Sequence, residues 1–293
     1  MSALSKAGLD VQALGRSTRL APSQVCVRKV DYMDEEQLIS ALKGQDAVIS
    51  CLGDTASAVS AQRALIEASI KAGVKRFLPS EFGSDTSCAY VRSLPFFRSK
   101  IEHQDVLKSA AMQCPNFSYT ILYTGLFLDW CLSTVPCIIN CGSRTADVYD
   151  GGNLNFSVTR TTTVAEAVLR ILQRPEQTKN KTLRVHEMIL TQNELIQRAE
   201  ALTTTLPPFS IRSIDTATYE AYAWRAHANP RAEPLEWLVP FINLSIWSQT
   251  QPGRFEHVDN ALLDIEVLED PRRAHVIEAE LRQATLKLYN PSL

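Results

Sequence analysis

The segment from Val74 to Gly83 limits the possible folds of this chain more than any other stretch. Before it, the apolar residues of Ala61–Ala72 recur at helical spacing, and Gly73 stands where helices commonly end. Val74–Leu78 is short and apolar, which predicts a strand, and Pro79 ends it because proline cannot donate to a sheet ladder. A helix, a buried strand and a polar turn in this order are typical of a parallel α/β sheet. Ligands bind beyond the carboxyl ends of such strands, so the turn after the strand is a predicted site.

The same alternation of strands and helices runs through the first half of the chain. Further strands are predicted at Val11–Leu14, Val25–Val30, Ala47–Cys51 and Ser118–Thr124. Asp34 is predicted to cap one helix, with Gln37 three residues later, and Lys100 is predicted to open another. These elements predict an α/β fold.

The second half is less regular. Thr163 and Thr191 each precede a glutamate by three residues, which predicts two capped helices. The prolines and aromatic residues of Leu206–Pro240 predict an irregular, pocket-forming lobe. No internal repeat is present.

Composition excludes several classes of protein. The net charge of -2 over 293 residues provides no excess of positive charge for binding nucleic acid. No apolar run approaches the ~18 residues of a membrane span, and the N-terminal residues do not resemble a secretory signal. The seven cysteines favour reduced thiols in a cytoplasmic protein, and the loose group Cys131, Cys137 and Cys141 fits no zinc pattern, so no metal site is predicted.

Four motifs stand out in the sequence, namely Phe77–Gly83 followed by Phe97-x-x-Lys100, Tyr119–Gly125 followed by Phe127, Lys179–Leu183, and Gly253–Glu256. Together they resemble the isoflavone reductase and phenylcoumaran benzylic ether reductase family, which belongs to the NmrA-like, atypical short-chain dehydrogenases. The resemblance is to fungal members in particular. Ordinary short-chain dehydrogenases use a Tyr-x-x-x-Lys pair, which this sequence lacks.

The resemblance implies a Rossmann-like domain at residues 1–150 that binds NADPH. It also implies a smaller α+β substrate lobe at residues 151–293, of which 163–187 is expected to pack on the Rossmann sheet. Lys100 matches the family's catalytic lysine, a residue type that can polarise or protonate a substrate oxygen. A solvated surface lysine is the structural alternative. His103 follows one helical turn later and could face the same cleft, although an exposed position on the helix is favoured.

The same resemblance implies the cofactor contacts. Arg16 would bind the 2′-phosphate of NADPH. Ser17 lies beside it, and Arg19 could contribute to the same contact. The remaining predicted contacts follow strand ends or lie beside the nicotinamide, namely Cys51, Leu52, Gly53, Pro79, Ser80 and Phe127. Arg16 could instead be a surface arginine, and Phe127 could instead be an aromatic residue of the core.

The start of the chain departs from the family. Members open with a strand and a Gly-x-x-Gly-x-x-Gly turn that holds the pyrophosphate, and this sequence has neither. The missing strand is the central one of a 3-2-1-4-5 sheet, so its neighbours would keep unpaired edges. The alternatives are a wrong start, direct pairing of the flanking strands, and a degenerate member with weak or no nucleotide binding.

Two functions follow from these observations. The first is an NADPH-dependent reductase of a small aromatic or polyketide-like molecule in specialised metabolism, acting as a monomer or homodimer. The second is a regulator that binds NAD(P) without chemistry, and an inactive truncated member is a further possibility. Lys100 favours the reductase.

Overall fold

The computed structural model describes residues 1–17, 25–53, 55–250 and 252–289. The chain divides into two compact units. The first contains Met1–Phe82, Ser99–Leu122 and Val164–Leu183, and the second contains Gly83–Arg98, Tyr123–Thr163 and Arg184–Leu293. The domain boundary predicted at residue 150 stays a prediction.

The helices and strands have the following bounds. The helices are α1 Ser2–Lys6, α2 Glu35–Leu42, α3 Ala56–Ala72, α4 Ala89–Ser93, α5 Arg98–Gln113, α6 Leu128–Ser133, α7 Thr161–Gln173, α8 Pro175–Thr178, α9 Gln192–Leu202, α10 Thr216–Ala228, α11 Leu235–Trp247 and α12 Arg272–Tyr289. The strands are β1 Gln12–Gly15, β2 Cys26–Lys29, β3 Ala47–Ile49, β4 Arg76–Leu78, β5 Ser118–Tyr123, β6 Leu126–Phe127, β7 Thr145–Tyr149, β8 Phe156–Thr159, β9 Lys181–Arg184, β10 Met188–Leu190 and β11 Ser210–Ile214.

The strands of the first unit run parallel, as the sequence predicts. β3 pairs with β4 and β4 with β5, both in parallel register, and β9 lies next to β5. β4 is buried along its whole length, as expected where helices cover both faces of a sheet. This arrangement confirms the predicted Rossmann-like parallel sheet.

One interruption in this sheet also agrees with the sequence. β1 and β2 pair in parallel but form a sheet of their own, separate from the β3-β4-β5-β9 sheet. Within the described residues, no strand joins β1 to β3. The alternative in which the flanking strands pair directly is therefore wrong for this structure.

The second unit mixes strand directions around one apolar core. β8 pairs antiparallel with β10 and parallel with β6, while β7 and β11 form a parallel pair. Tyr149 stacks on Trp247, with ring centroids 4.9 Å apart, and Phe156 meets the same indole edge-on. Such offset aromatic contacts add to the free energy gained by burial.

Two of the three predicted helix caps are confirmed. Asp34 accepts from the amide of Gln37 at 2.9 Å, and Thr191 accepts from the amide of Glu194 at 3.2 Å. The third is wrong, because α7 already begins at Thr161. The hydroxyl of Thr163 instead donates to Glu187 Oε1 at 2.7 Å, a carboxylate that only the tertiary structure brings there.

The prediction of an irregular segment at Leu206–Pro240 is also wrong. This segment contains β11, α10 and the start of α11. Two of its prolines, Pro230 and Pro234, lie in the connection between the two helices, and Pro240 lies within α11. Pro230 and Pro234 therefore lie between two regular elements, and the segment as a whole is not irregular.

A buried arginine ties α8 to the sheet of the first unit. The Arg76 side chain is 7% exposed, and its Nε donates to Ser118 Oγ at 2.8 Å. Its Nη1 donates to the hydroxyls of Thr120 and Thr178, and its Nη2 donates to the carbonyl of Pro175 at 2.6 Å. Burial lowers the pKa of this guanidinium. The hydrogen bonds offset the cost of placing a charge inside the unit.

Replacing Arg76 with methionine is expected to lower the free energy of unfolding by about 2 to 3 kcal/mol, because buried hydroxyls and a carbonyl lose their donor. Urea unfolding measures the change. Arg63→Met is the matched control, since Arg63 is half exposed and pairs with Glu67 on the surface, where ion pairs contribute little. Equal losses in both variants would contradict a structural role for the network.

Candidate functional site

The candidate site lies at the carboxyl ends of β3 and β4, within the first unit. The hydroxyl of Ser80 donates to the carbonyl of Leu52 at 2.7 Å and so connects the turns that follow these two strands. Behind this bond, the hydroxyl of Ser50 donates to Gln62 Oε1. Both Ser50 and Gln62 are buried. The two turns are therefore held in one position by side chains of the strand, the turn and α3.

Lys100 reaches this edge from the first turn of α5. Its Nζ donates to the carbonyl of Ser80 at 2.6 Å. Phe97, just before the helix, is 3% exposed. Lys100 is half-buried with its ammonium group beside the Ser80 turn, which differs from the alternative of a fully solvated lysine.

Lys100 lines a small cavity of about 10 Å³. Its lining residues are Leu52, Gly53, Val59, Gln62, Ser80, Ser99, Lys100 and His103. Four of the residues predicted from the sequence, Leu52, Gly53, Ser80 and Lys100, therefore meet around one space. Their roles in binding and catalysis stay predictions.

His103 corrects an expectation from the sequence. It is 6% exposed and lines the same cavity as Lys100, whereas the sequence favoured an exposed position. Burial lowers the pKa of its imidazole, and the nearby charges of Arg63 and Lys100 lower it further, although the ring also donates to the carbonyl of Val59. The lowered pKa favours the neutral imidazole at pH 7.

The lowered pKa of His103 predicts a loss of stability in acid. The unfolded chain takes up a proton near pH 6.5 while the folded chain resists it, so stability rises with pH and is lost as pH falls below about 6.5. We expect His103→Gln to flatten the fall of the thermal midpoint between pH 7 and pH 5, with exposed His275→Gln as the control. Identical pH profiles for wild type and His103→Gln would contradict this cause.

Arg16 and Ser17 follow β1, and both are exposed. Burial raises the pKa of the Tyr32 hydroxyl, and the nearby positive charge of Arg16 partly offsets this rise. Tyr32 donates to the carbonyl of Leu14 at 3.2 Å, so the ring lies against the end of β1. Arg19, the possible assistant, lies outside the described residues.

The other predicted contacts occupy different surroundings. Cys51 lies two residues after β3 and is exposed as a whole residue. Its thiol is partly buried, and this burial raises the pKa of the thiol. Pro79 is buried at the end of β4. Phe127 belongs to the second unit, where it ends β6 in register with Thr159 of β8 and is half-buried.

The donors at this edge fit parts of a dinucleotide. An added Cβ on Gly53 would meet nothing within 4 Å, so a ligand can approach this backbone closely. The Lys100 ammonium and the Arg16 guanidinium supply the positive charge that phosphate and carbonyl oxygens require. A glycine-rich pyrophosphate turn is not found among residues 1–17 and 25–53, so the fit covers the nicotinamide and ribose-phosphate ends.

The sequence analysis did not single out Ser50 or Gln62, and it favoured an exposed position for His103 over one that faces the cleft. Ser50 follows an apolar strand, where a lone hydroxyl is a weak sign of a role. Gln62 and His103 each lie at helical spacing from a buried leucine of the same helix, Leu65 and Leu107. That spacing was the available signal.

Two kinds of feature are not found among the described residues, namely a cluster of metal-ligating side chains and a membrane-spanning helix. No group of three or more histidine, cysteine, aspartate or glutamate side chains is arranged to hold a metal ion in the described parts of the chain. None of the helices that the structure describes combines the length and apolar character needed to cross a bilayer.

Parallel strands with intervening helices and polar turns at the carboxyl edge define a Rossmann-like α/β protein. The NmrA-like family model matches residues 1–204. The oxidoreductase poxI of Penicillium oxalicum is 31% identical over 222 residues, which cover 73% of this chain and 69% of that protein. Pinoresinol reductase 2 of Arabidopsis thaliana is 32% identical over 184 residues, which cover 59% of this chain and 56% of that protein.

Solved structures agree on the fold. The binary complex of leucoanthocyanidin reductase with NADPH from Vitis vinifera matches with a TM-score of 0.71 at 18% identity, covering 98% of this chain and 94% of that one. The chain belongs to the NmrA-like family. The family predicted from the sequence motifs, including the resemblance to fungal members, is confirmed.

Proposed function

We propose that this protein is an NADPH-dependent oxidoreductase that reduces a small aromatic or polyketide-like molecule in specialised metabolism. Membership of the NmrA-like family supports the class of reaction, and similarity to a fungal oxidoreductase and a plant pinoresinol reductase supports the class of substrate. The observation that carries the proposal is the hydrogen bond from Lys100 to the carbonyl of Ser80, beside the Leu52–Gly53 turn.

The proposed cofactor contacts follow from the strand ends. Arg16 would bind the 2′-phosphate, because a planar guanidinium matches phosphate oxygens bidentately. The open backbone at Gly53 and the turn at Ser80 would contact the ribose and nicotinamide. NADPH, when bound, supplies the hydride.

Lys100 performs the acid part of the proposed reaction. Its ammonium group is held by the Ser80 carbonyl, which fixes where its remaining protons point. A substrate oxygen placed there would accept a hydrogen bond or a proton as negative charge develops on it. Ser80 itself acts as a positioning residue, because its hydroxyl holds the Leu52 turn while its carbonyl holds the lysine.

Cofactor binding tests the proposal before any substrate is known. NADPH at a hundredfold its dissociation constant should add about 2.7 kcal/mol of stability, visible as a rise in the thermal midpoint. We expect Arg16→Ala to weaken NADPH about tenfold and leave NADH unchanged, since only NADPH carries the 2′-phosphate. Arg225→Ala, an exposed arginine of α10, is the control.

The outcomes separate the competing functions. Turnover of NADPH with one of a panel of aromatic and polyketide-like substrates supports the reductase. Equal affinity for NADP and NADPH with no turnover on any substrate favours a nucleotide-binding regulator. No thermal shift with any of these nucleotides contradicts the proposal and favours an inactive member.

A further inference from the structure

The C-terminal end of α6 in the second unit brings two cysteines together. The amides of Thr134 and Val135 both donate to the carbonyl of Trp130, at 2.9 and 3.0 Å, so the chain turns back on the helix. The amide of Cys137 then donates to the carbonyl of Cys131 at 3.2 Å. This backbone bond places the two cysteines directly beside each other.

Their side chains meet as well. The two thiols lie close enough for each to change the pKa of the other. Cys131 is 3% exposed, whereas Cys137 is exposed to solvent. Their interaction lowers the pKa of Cys137 and raises that of Cys131. The accessible member of the pair is therefore the one that more readily becomes a thiolate.

We propose that Cys131 and Cys137 form a redox-active dithiol site that closes to an intramolecular disulfide in the presence of a hydroperoxide. The backbone hydrogen bond of 3.2 Å from Cys137 to Cys131 keeps the two residues adjacent, which a disulfide between them requires. One exposed and one buried thiol is the arrangement expected of an attacking and a resolving cysteine.

The chemistry balances with one equivalent of hydroperoxide. The Cys137 thiolate attacks the peroxide oxygen, the O–O bond breaks, and a sulfenic acid forms with release of water or an alcohol. The Cys131 sulfur then attacks the sulfenic sulfur, the S–S bond forms, and the hydroxyl leaves with the Cys131 proton as water. Both sulfurs are oxidised by one electron each, and the peroxide is reduced by two.

Cys141, the third member of the group, is not the partner in this proposal. It is 3% exposed, and burial raises its pKa to about 11, so it is both inaccessible and protonated at neutral pH. The thiol of Cys141 contacts the hydroxyl of Thr285 in α12 rather than either of the other two cysteines.

The disulfide would act on a segment next to a predicted cofactor contact. α6 begins directly after Phe127, and closing the bond fixes the last turn of this helix to the chain that follows it. The site rests on the geometry of the helix end and does not depend on the proposed reductase function. Its test is therefore chemical rather than enzymatic.

The experiment treats the full chain with hydrogen peroxide and maps each cysteine by differential alkylation. Free thiols are blocked with iodoacetamide under denaturing conditions, the protein is reduced, and the released thiols are labelled with N-ethylmaleimide. We expect Cys131 and Cys137 to carry the second label while Cys141 carries the first, together with a mass loss of about 2 Da before reduction. Dithiothreitol should reverse the change.

Two variants make the result decisive. In Cys137→Ser, Cys131 should keep the first label at the same peroxide dose, whereas Cys26→Ser, which removes another exposed thiol, should leave the disulfide intact. The proposal is overturned if Cys137 is oxidised to sulfinic acid while Cys131 stays free, if Cys137 pairs with Cys141, or if non-reducing gels show that the bond joins two chains.

Discussion

Replacing Lys100 with alanine is expected to lower kcat/KM for NADPH-dependent reduction by a factor of about 10² to 10⁴, the usual contribution of a positioned proton donor. The physical reason is local, because the ammonium group is held by the Ser80 carbonyl at 2.6 Å beside the turn at Leu52. NADPH oxidation at saturating cofactor measures the change. Stopped turnover with retained NADPH binding would assign the loss to the chemical step.

Lys108→Ala is the matched control for this variant. Lys108 lies on the same helix, α5, but its side chain is 42% exposed and lies 3.8 Å from Asp105 across one helical turn. Lys100→Arg keeps the charge while changing the shape of the donor, and we expect it to recover only part of the activity. If Lys100→Ala turns over as fast as Lys108→Ala, the catalytic assignment is wrong.

Replacing Gly125 with alanine is expected to lower the free energy of unfolding by about 3 to 4 kcal/mol, the range of severe backbone and packing changes. Gly125 has φ +63°, and a Cβ added there would overlap the backbone carbonyl of Ser157 in β8. Backbone cannot move aside as a flexible side chain can, so the left-handed strain and the clash add together.

Gly151→Ala separates these two causes. Gly151 belongs to the same unit and has φ +79°, but a Cβ added there would meet nothing within 4 Å. It should therefore cost only the left-handed strain, about 1 to 2 kcal/mol. Urea unfolding of both variants measures the difference. Equal destabilisation would mean that the contact with Ser157 contributes nothing.

The elements that could be predicted from the sequence are those whose ends are marked by residues close together in the chain. Gly73 ends α3 in the left-handed conformation, and Asp34 and Thr191 cap α2 and α9, because each signal involves residues within one helical turn. The parallel pairing of β3 and β4 follows from short apolar runs between helices. The separation of β1 and β2 from the β3-β4-β5-β9 sheet was one of the outcomes that the sequence left open.

The predictions that were wrong share one cause. Thr163 has the spacing of a cap, yet its hydroxyl donates to Glu187, 24 residues away in sequence. His103 was expected to be exposed, yet its ring is buried and bonds to the backbone of Val59 in α3. In each case a partner distant in the chain decided the environment, and no local pattern specifies such a partner.

By itself, the sequence determined the alternation of strands and helices, the edge of the sheet at which a site would form, and, through its motifs, the NmrA-like family. Periodicity and turn residues are local properties, so they can be read without coordinates. The tertiary structure alone decided that Lys100 bonds to Ser80 and that Arg76 is buried among hydroxyls. These contacts join segments that are far apart in the sequence. Packing brings such segments together, and local sequence patterns do not specify which segments meet.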